Sequence, residues 1–261
     1  MTDPSVIVDD LDGSADGVRV IRINRPERRN ALNLATKNAL IDALEAADND
    51  VSVRAVILTG TGSTFVAGTD VSEMATFAPT DHLILDTGRL FMTLDELSTP
   101  VIAAVEGYAL GGGCELAMAC DLVVAGESAR FGQPEIKVGL IPGAGGVSRL
   151  IQRAGRARAL QAVLIGEPFS ATTAQQMGIV SSVVPDGTAL GEAGALAAAI
   201  AARPPLNIAA IRRIARNAES APLNSAIALE RTTFQLLFDT ADHTEGLEAF
   251  LARRPPSYEG K

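Results

Sequence analysis

Apolar residues recur along this chain at two alternating periods. Residues 6–8 and 18–23 read as strands, and Asp12-Gly13 with Asp16-Gly17 supplies the turn between them. Asn33 is placed to cap a helix running to about Asp48, whose Leu40, Ile41 and Leu44 share one face. Residues 55–59 form a short buried strand, followed by a loop over 60–69. A second helix is expected over 87–97, closed by Pro100, and another buried strand over 101–105. After the glycine-rich stretch 107–113, a helix is expected from about Cys114 to Ala119, then a strand over 122–125. Such repeated strand–helix crossovers predict an α/β architecture. From about Gly191 the pattern becomes purely helical, with helices expected over 193–202, 207–218, 224–238 and 245–251, set apart by Pro204-Pro205, Pro222 and Pro255-Pro256. The expected organisation is therefore a core over 1–195 and a helical region over 196–261. Amphipathic helices with nothing of their own to enclose predict packing against a neighbouring subunit.

The length of 261 residues suits one large domain with a modest appendage. Aromatic residues are scarce and Trp is absent, so the core must use small side chains that let backbones approach closely. A formal net charge of -9 argues against nucleic acid as a partner, because phosphate binding needs clustered cations. Arg19, Arg22, Arg25, Arg28 and Arg29 do crowd one stretch, which reads as a solvated face or as a site for a small phosphorylated ligand. Cys114 and Cys120, six residues apart, could not easily pair if they lie on one helix, and read as reduced thiols. Met1-Thr2-Asp3-Pro4 has neither the basic start nor the apolar run of a signal peptide. No apolar run reaches membrane-spanning length. The expectation is a soluble, cytoplasmic protein without a membrane partner.

Histidine is nearly absent. His82 and His243 are too few for a Ser/His/Asp triad or a His-based metal site, and both read as surface residues. Glycine is more specific. Tyr108-Ala109-Leu110-Gly111-Gly112-Gly113-Cys114-Glu115 follows a buried strand and opens a helix, so bare amides at a helix N-terminus are positioned to hold developing negative charge; a tight turn without a ligand is the equal alternative. Glu115 alone reads as favourable charge–dipole placement. Glu135, after Phe131-Gly132-Gln133-Pro134, alone reads as a surface carboxylate. Together, beside the second glycine-rich run Pro142-Gly143-Ala144-Gly145-Gly146, the two acids suggest general acid/base work. In Phe65-Val66-Ala67-Gly68-Thr69-Asp70, Gly68 is placed to turn the Thr69 amide inward. Gly60-Thr61-Gly62-Ser63 lacks the Lys-Ser/Thr of a phosphate loop.

These blocks resemble the crotonase, or enoyl-CoA hydratase/isomerase, superfamily. The likeness runs through Asn24-Arg25-Pro26, Asn30-Ala31-Leu32-Asn33, residues 65–70, 100–117, 129–135 and 139–146, to Glu245-Gly246-Leu247 and Arg253-Arg254-Pro255-Pro256, in order over nearly the whole chain. The resemblance implies a spiral of repeated ββα units with a helical C-terminal trimerisation region, and a homotrimer or homohexamer. It implies an acyl-CoA thioester as substrate, with coenzyme A part of the substrate and neither a separate cofactor nor a metal. It implies an oxyanion hole from the backbone N–H groups of Thr69 and Gly112, where alanine is common at the first position, and catalytic acids at Glu115 (base on water) and Glu135 (acid). Substrate-binding positions implied by the same likeness are Arg25, Arg28, Ala67, Gly68, Asp70, Val71, Gly111, Pro134 and Gly143. The segment 71–89 is expected to help line the acyl pocket, with Met74 and Phe77 read as core. With both acids present, the expected reaction is addition of water to a trans-2-enoyl-CoA, giving a 3-hydroxyacyl-CoA, as in fatty acid β-oxidation. A double-bond isomerase, a thioester hydrolase or a non-catalytic acyl-CoA-binding protein are the alternatives.

Overall fold

Nine strands form two sheets among the residues that the computed structural model describes, 4–11 and 17–261. They are β1 (Val6–Asp10), β2 (Val18–Ile23), β3 (Ala55–Gly60), β4 (Val101–Val105), β5 (Tyr108–Leu110), β6 (Leu122–Gly126), β7 (Arg130–Gly132), β8 (Phe169–Ser170) and β9 (Ser182–Val184). The turn expected at Asp12-Gly13 and Asp16 lies outside the described residues. The larger sheet runs β1-β2-β3-β4-β6-β9. Its first pair is antiparallel and the later pairs are parallel. β3 and β4 lie in its middle, covered on both faces, which is why they read as unbroken apolar runs. Their side chains still alternate. Val56, Leu58, Val101 and Ala103 enter the main core, while Ala55, Ile57, Ile102 and Ala104 enter a second core on the other face.

The smaller sheet, β5-β7-β8, is extended by single parallel bridges, Val66 to Ala109 and Leu32 to Thr69. The chain thus repeats one journey: a strand of the large sheet, a short contact in the small one, then a helix. β4 and β5 lead to the helix Gly112–Ala119; β6 and β7 lead to the helix Gly146–Ile165. This is the expected spiral of ββα units. Asn33 caps the helix Leu34–Asn49, its side chain accepting the Thr36 N–H at 2.9 Å.

Three expectations need correction. The helix expected from Cys114 starts at Gly112, since tertiary packing overrides the low helix propensity of glycine there. The helix expected over 87–97 spans Arg89–Glu96 and is preceded by two short helices, Val71–Met74 and Pro79–Ile84. The boundary expected between 195 and 196 falls inside the helix Ala189–Ala201, whose Ala189, Ala193 and Ala197 pack on the second face of the large sheet. An alanine stripe lets this helix come close to the sheet, so its composition resembles the tail although it belongs to the core.

The helices beyond it, Pro205–Ala218, Leu223–Leu236 and Ala241–Ala252, form the C-terminal region. Arg212 ties the first of them to the core. It is 6% exposed, donates from Nε to both oxygens of Asp121 at 2.8 Å, and also reaches the Leu97 and Leu94 carbonyls. Both cysteines are buried and free. No single helix among the described residues is long and apolar enough to cross a membrane.

Candidate active site

Gly111 precedes the helix Gly112–Ala119 with φ of 50°, a conformation that a side chain disfavours. Glu115 follows one helical turn in and is 3% exposed. Glu115 Oε1 accepts the Ala144 N–H at 2.7 Å and the Gly146 N–H at 2.8 Å. The second glycine-rich run therefore wraps the first glutamate. Glu135 lies in the 3-10 helix Pro134–Val138 that follows β7, and is half-buried. With its amide oriented to donate, the Gln133 side chain lies 3.1 and 3.2 Å from the two Glu135 carboxylate oxygens.

The two acids titrate in different surroundings. Burial pushes Glu135 up to about 7, and the charge of Glu115 adds to the rise. Burial also raises Glu115, but the Ala144 and Gly146 amides and the Arg149 and Lys37 charges all favour its ionised form. Glu115 is thus the better supported as a carboxylate, and Glu135 is the one that holds a proton near neutrality.

Two backbone amides complete the arrangement. Gly68, with φ of 134°, turns the chain before Thr69. Leu32 clamps this loop from both sides, donating to the Gly68 carbonyl and accepting the Asp70 N–H, each at 2.9 Å. A Cβ on Gly112 would lie 3.6 Å from Thr69 N and 2.8 Å from Thr69 Oγ1, so these two residues face each other at close range. Neither the Thr69 nor the Gly112 amide donates a hydrogen bond among the described residues. Both amides and both carboxyls line one cavity of about 670 Å³.

Of the substrate-binding positions expected, Ala67, Gly68, Val71, Gly111, Pro134 and Gly143 line that cavity. Arg25, Arg28 and Asp70 do not. Arg25 is committed to Asp70 at 3.1 Å and to the Ala31 carbonyl, so this pair braces the Thr69 loop from behind. Arg28 is exposed in a 3-10 turn. Met74 and Phe77 line the cavity instead of joining the core. His82 is exposed but lies on the cavity rim, and His243 is half-buried against the Phe238 ring. Sequence reasoning missed Lys37, Glu73 and Phe91 on the same wall. For Lys37 a signal existed: it falls at helical spacing among Leu34, Ile41 and Leu44, where an apolar residue is expected. A larger cleft of about 1070 Å³ lies between Ser98, Arg149 and the C-terminal helices, but neither glutamate nor the amide pair borders it. Volume alone is the weaker guide here, since it is the smaller cavity that brings the two glutamates with raised proton affinity to the pair of undonated amides.

Residues 13–261 match the family model described as enoyl-CoA hydratase/isomerase. The chain is 44% identical over 244 residues to 2,3-dehydroadipyl-CoA hydratase of Escherichia coli K12, covering 94% of this chain and 96% of that protein. It is 38% identical to the mitochondrial enoyl-CoA hydratase of Pongo abelii, covering 97% and 87% respectively. A crystal structure of enoyl-CoA hydratase from Mycobacterium tuberculosis H37Rv superposes with a TM-score of 0.90 at 37% identity, over 99% of this chain and all of that one.

The raised Glu135 carries a sign that stability can read. Its penalty is absent below the ordinary value of 4.5, grows as pH rises toward about 7, and is complete above that. Glu135→Gln should therefore raise the urea unfolding midpoint at mildly alkaline pH, and the gain should vanish in acid below the ordinary carboxyl range. Denaturation of both proteins across that pH span checks it; a gain that grows toward acid would have the wrong sign.

Proposed function

The chain belongs to the enoyl-CoA hydratase/isomerase family, and on that premise we propose that it adds water across the double bond of a trans-2-enoyl-CoA. What supports the reading is that two acids with different proton affinities and two undonated amides border a single cavity. The thioester oxygen lies between the Thr69 and Gly112 amides. As the β carbon is attacked, charge moves onto that oxygen, and preorganised donors stabilise it there; one such donor is worth roughly 2.7–4 kcal/mol. Water sits between the carboxyls. Glu115 takes one proton, the oxygen bonds to the β carbon as the π bond opens, and Glu135 delivers its proton to the α carbon. Both new bonds form on the face that the two acids share, giving syn addition and a 3-hydroxyacyl-CoA. Thr69 contributes through its backbone, so a residue other than alanine at this position leaves the amide intact. Coenzyme A arrives with the substrate, and this scheme uses no separate cofactor.

Purified protein should bleach the absorbance of a conjugated enoyl thioester and yield a product heavier by one water. Glu115→Gln and Glu135→Gln should each lower kcat by roughly 10²–10⁴-fold. An isomerised product of unchanged mass, or free thiol from hydrolysis, would overturn the assignment in favour of another branch of the family. Ligand binding without turnover would leave a binding protein.

The same reading includes a homotrimer assembled through the C-terminal helices. Leu223, Phe234, Phe238, Phe250 and Leu251 are each more than half exposed there, and apolar surface on this scale calls for a partner. Sedimentation equilibrium should give three times the chain mass of 27.1 kDa, or a multiple of that trimer. A monomer at micromolar concentration would contradict it.

A further inference from the structure

Lys37 acts on Glu115 through its charge but is hydrogen-bonded to neither acid, and it is buried in the cavity wall, while the other lysine there, Lys137, is exposed. It lies one turn into the helix Leu34–Asn49 and is only 9% exposed. Its Nζ donates to the Thr87 carbonyl at 3.0 Å and stands 6.0 Å from the centre of the Phe91 ring. An ammonium group carries three donors, and among the described residues the Thr87 carbonyl is its one hydrogen-bond acceptor. Burial lowers its pKa from the ordinary lysine value, and the charges of Glu115 and Glu73 oppose that shift. Neither is hydrogen-bonded to Lys37: Glu73 accepts the Leu34 N–H at 2.8 Å through Oε2, and Glu115 accepts the Ala144 and Gly146 amides through Oε1. A buried cation without a bonded carboxylate is a destabilising feature that an apolar residue of similar volume would remove. Thr87 also bonds His82, Oγ1 to Nδ1 at 3.0 Å, and His82 lines the same cavity. Two groups able to carry positive charge therefore converge on Thr87. Thr87 and His82 belong to the segment 71–89, whose Met74 and Phe77 give the cavity an apolar wall for the acyl chain.

We propose that Lys37, with His82 beside it on Thr87, receives a carboxylate at the far end of the acyl chain, so that the preferred substrates are 2-enoyl thioesters of dicarboxylic acids. The inference rests on the hydratase reading of the same cavity. A methyl-ended chain would leave the ammonium desolvated and without a bonded anion, so the site selects against such chains as well as for the anion. A charge-assisted bond of this kind corresponds to roughly ten- to hundredfold in affinity.

The test uses saturated thioesters, which bind without turning over. Adipyl-CoA and hexanoyl-CoA differ in the terminal group, and calorimetric titration should find adipyl-CoA bound roughly tenfold or more tighter. Lys37→Met should abolish that preference by weakening adipyl-CoA selectively, and Lys37→Arg should retain part of it. Thermal unfolding of Lys37→Met at or above the midpoint of the unsubstituted protein would confirm that its fold survives. Equal affinity for the two thioesters in the unsubstituted protein, or an equal loss for both in Lys37→Met, would overturn the proposal. The two readings fail separately. Preference for the carboxylate without hydration of any enoyl thioester would sink the reaction and keep the anion site. Hydration with no terminal-group preference would sink the anion site alone.

Discussion

Three consecutive glycines set the distance between two layers of this fold, and the site depends on that distance. A Cβ on Gly111 would lie 2.9 Å from Glu135 Oε1, one on Gly112 would press on Thr69 Oγ1 at 2.8 Å, and one on Gly113 would collide with the Val66 carbonyl. Each glycine thus faces a different element: the 3-10 helix with the second acid, the loop with the first amide, and the strand-like segment that bridges to Ala109. Close backbone approach is what brings a helix N-terminus, the undonated Thr69 amide and two carboxyls to the wall of one cavity. The scarcity of aromatic residues suits the same end, because small side chains let the layers close.

Within that frame, chemistry comes from asymmetry. Both glutamates are desolvated, which raises the proton affinity of each. Only Glu115 is answered by two amides and two cations. The Gly145 turn that directs the Ala144 and Gly146 amides onto it is part of the same design, since it places the donors without adding a charge. Two identical side chains thereby acquire separate roles through position alone. The charge of Glu115 adds to the rise of Glu135, so the two proton losses are linked.

Much of this was legible in the sequence, and the boundary of legibility has physical causes. Buried strands such as β3 and β4 announce themselves as short apolar runs, and Asn33 announces its helix because a cap is a local interaction. The glycine runs and the two acids were legible as motifs through resemblance to a family; their spacing alone carried no geometry, since nothing local says that residues twenty apart meet. The misjudged elements are those where tertiary contact outweighs local preference. The helix Ala189–Ala201 looked like part of the tail because its alanines suit either place, and Arg25 looked available to a phosphate because its partner Asp70 is 45 residues away. Lys37 is the converse: a local anomaly, a cation on an apolar stripe, that acquires meaning only when the opposite wall is known.

In the proposed reaction Glu135 holds its proton near neutrality and gives it to substrate while Glu115 draws one from water. The pH dependence of kcat/KM for hydration tests it most directly. The rate should fall away as pH rises beyond about 7, where Glu135 loses its proton. A rate that holds constant through that value and well into alkali would contradict it.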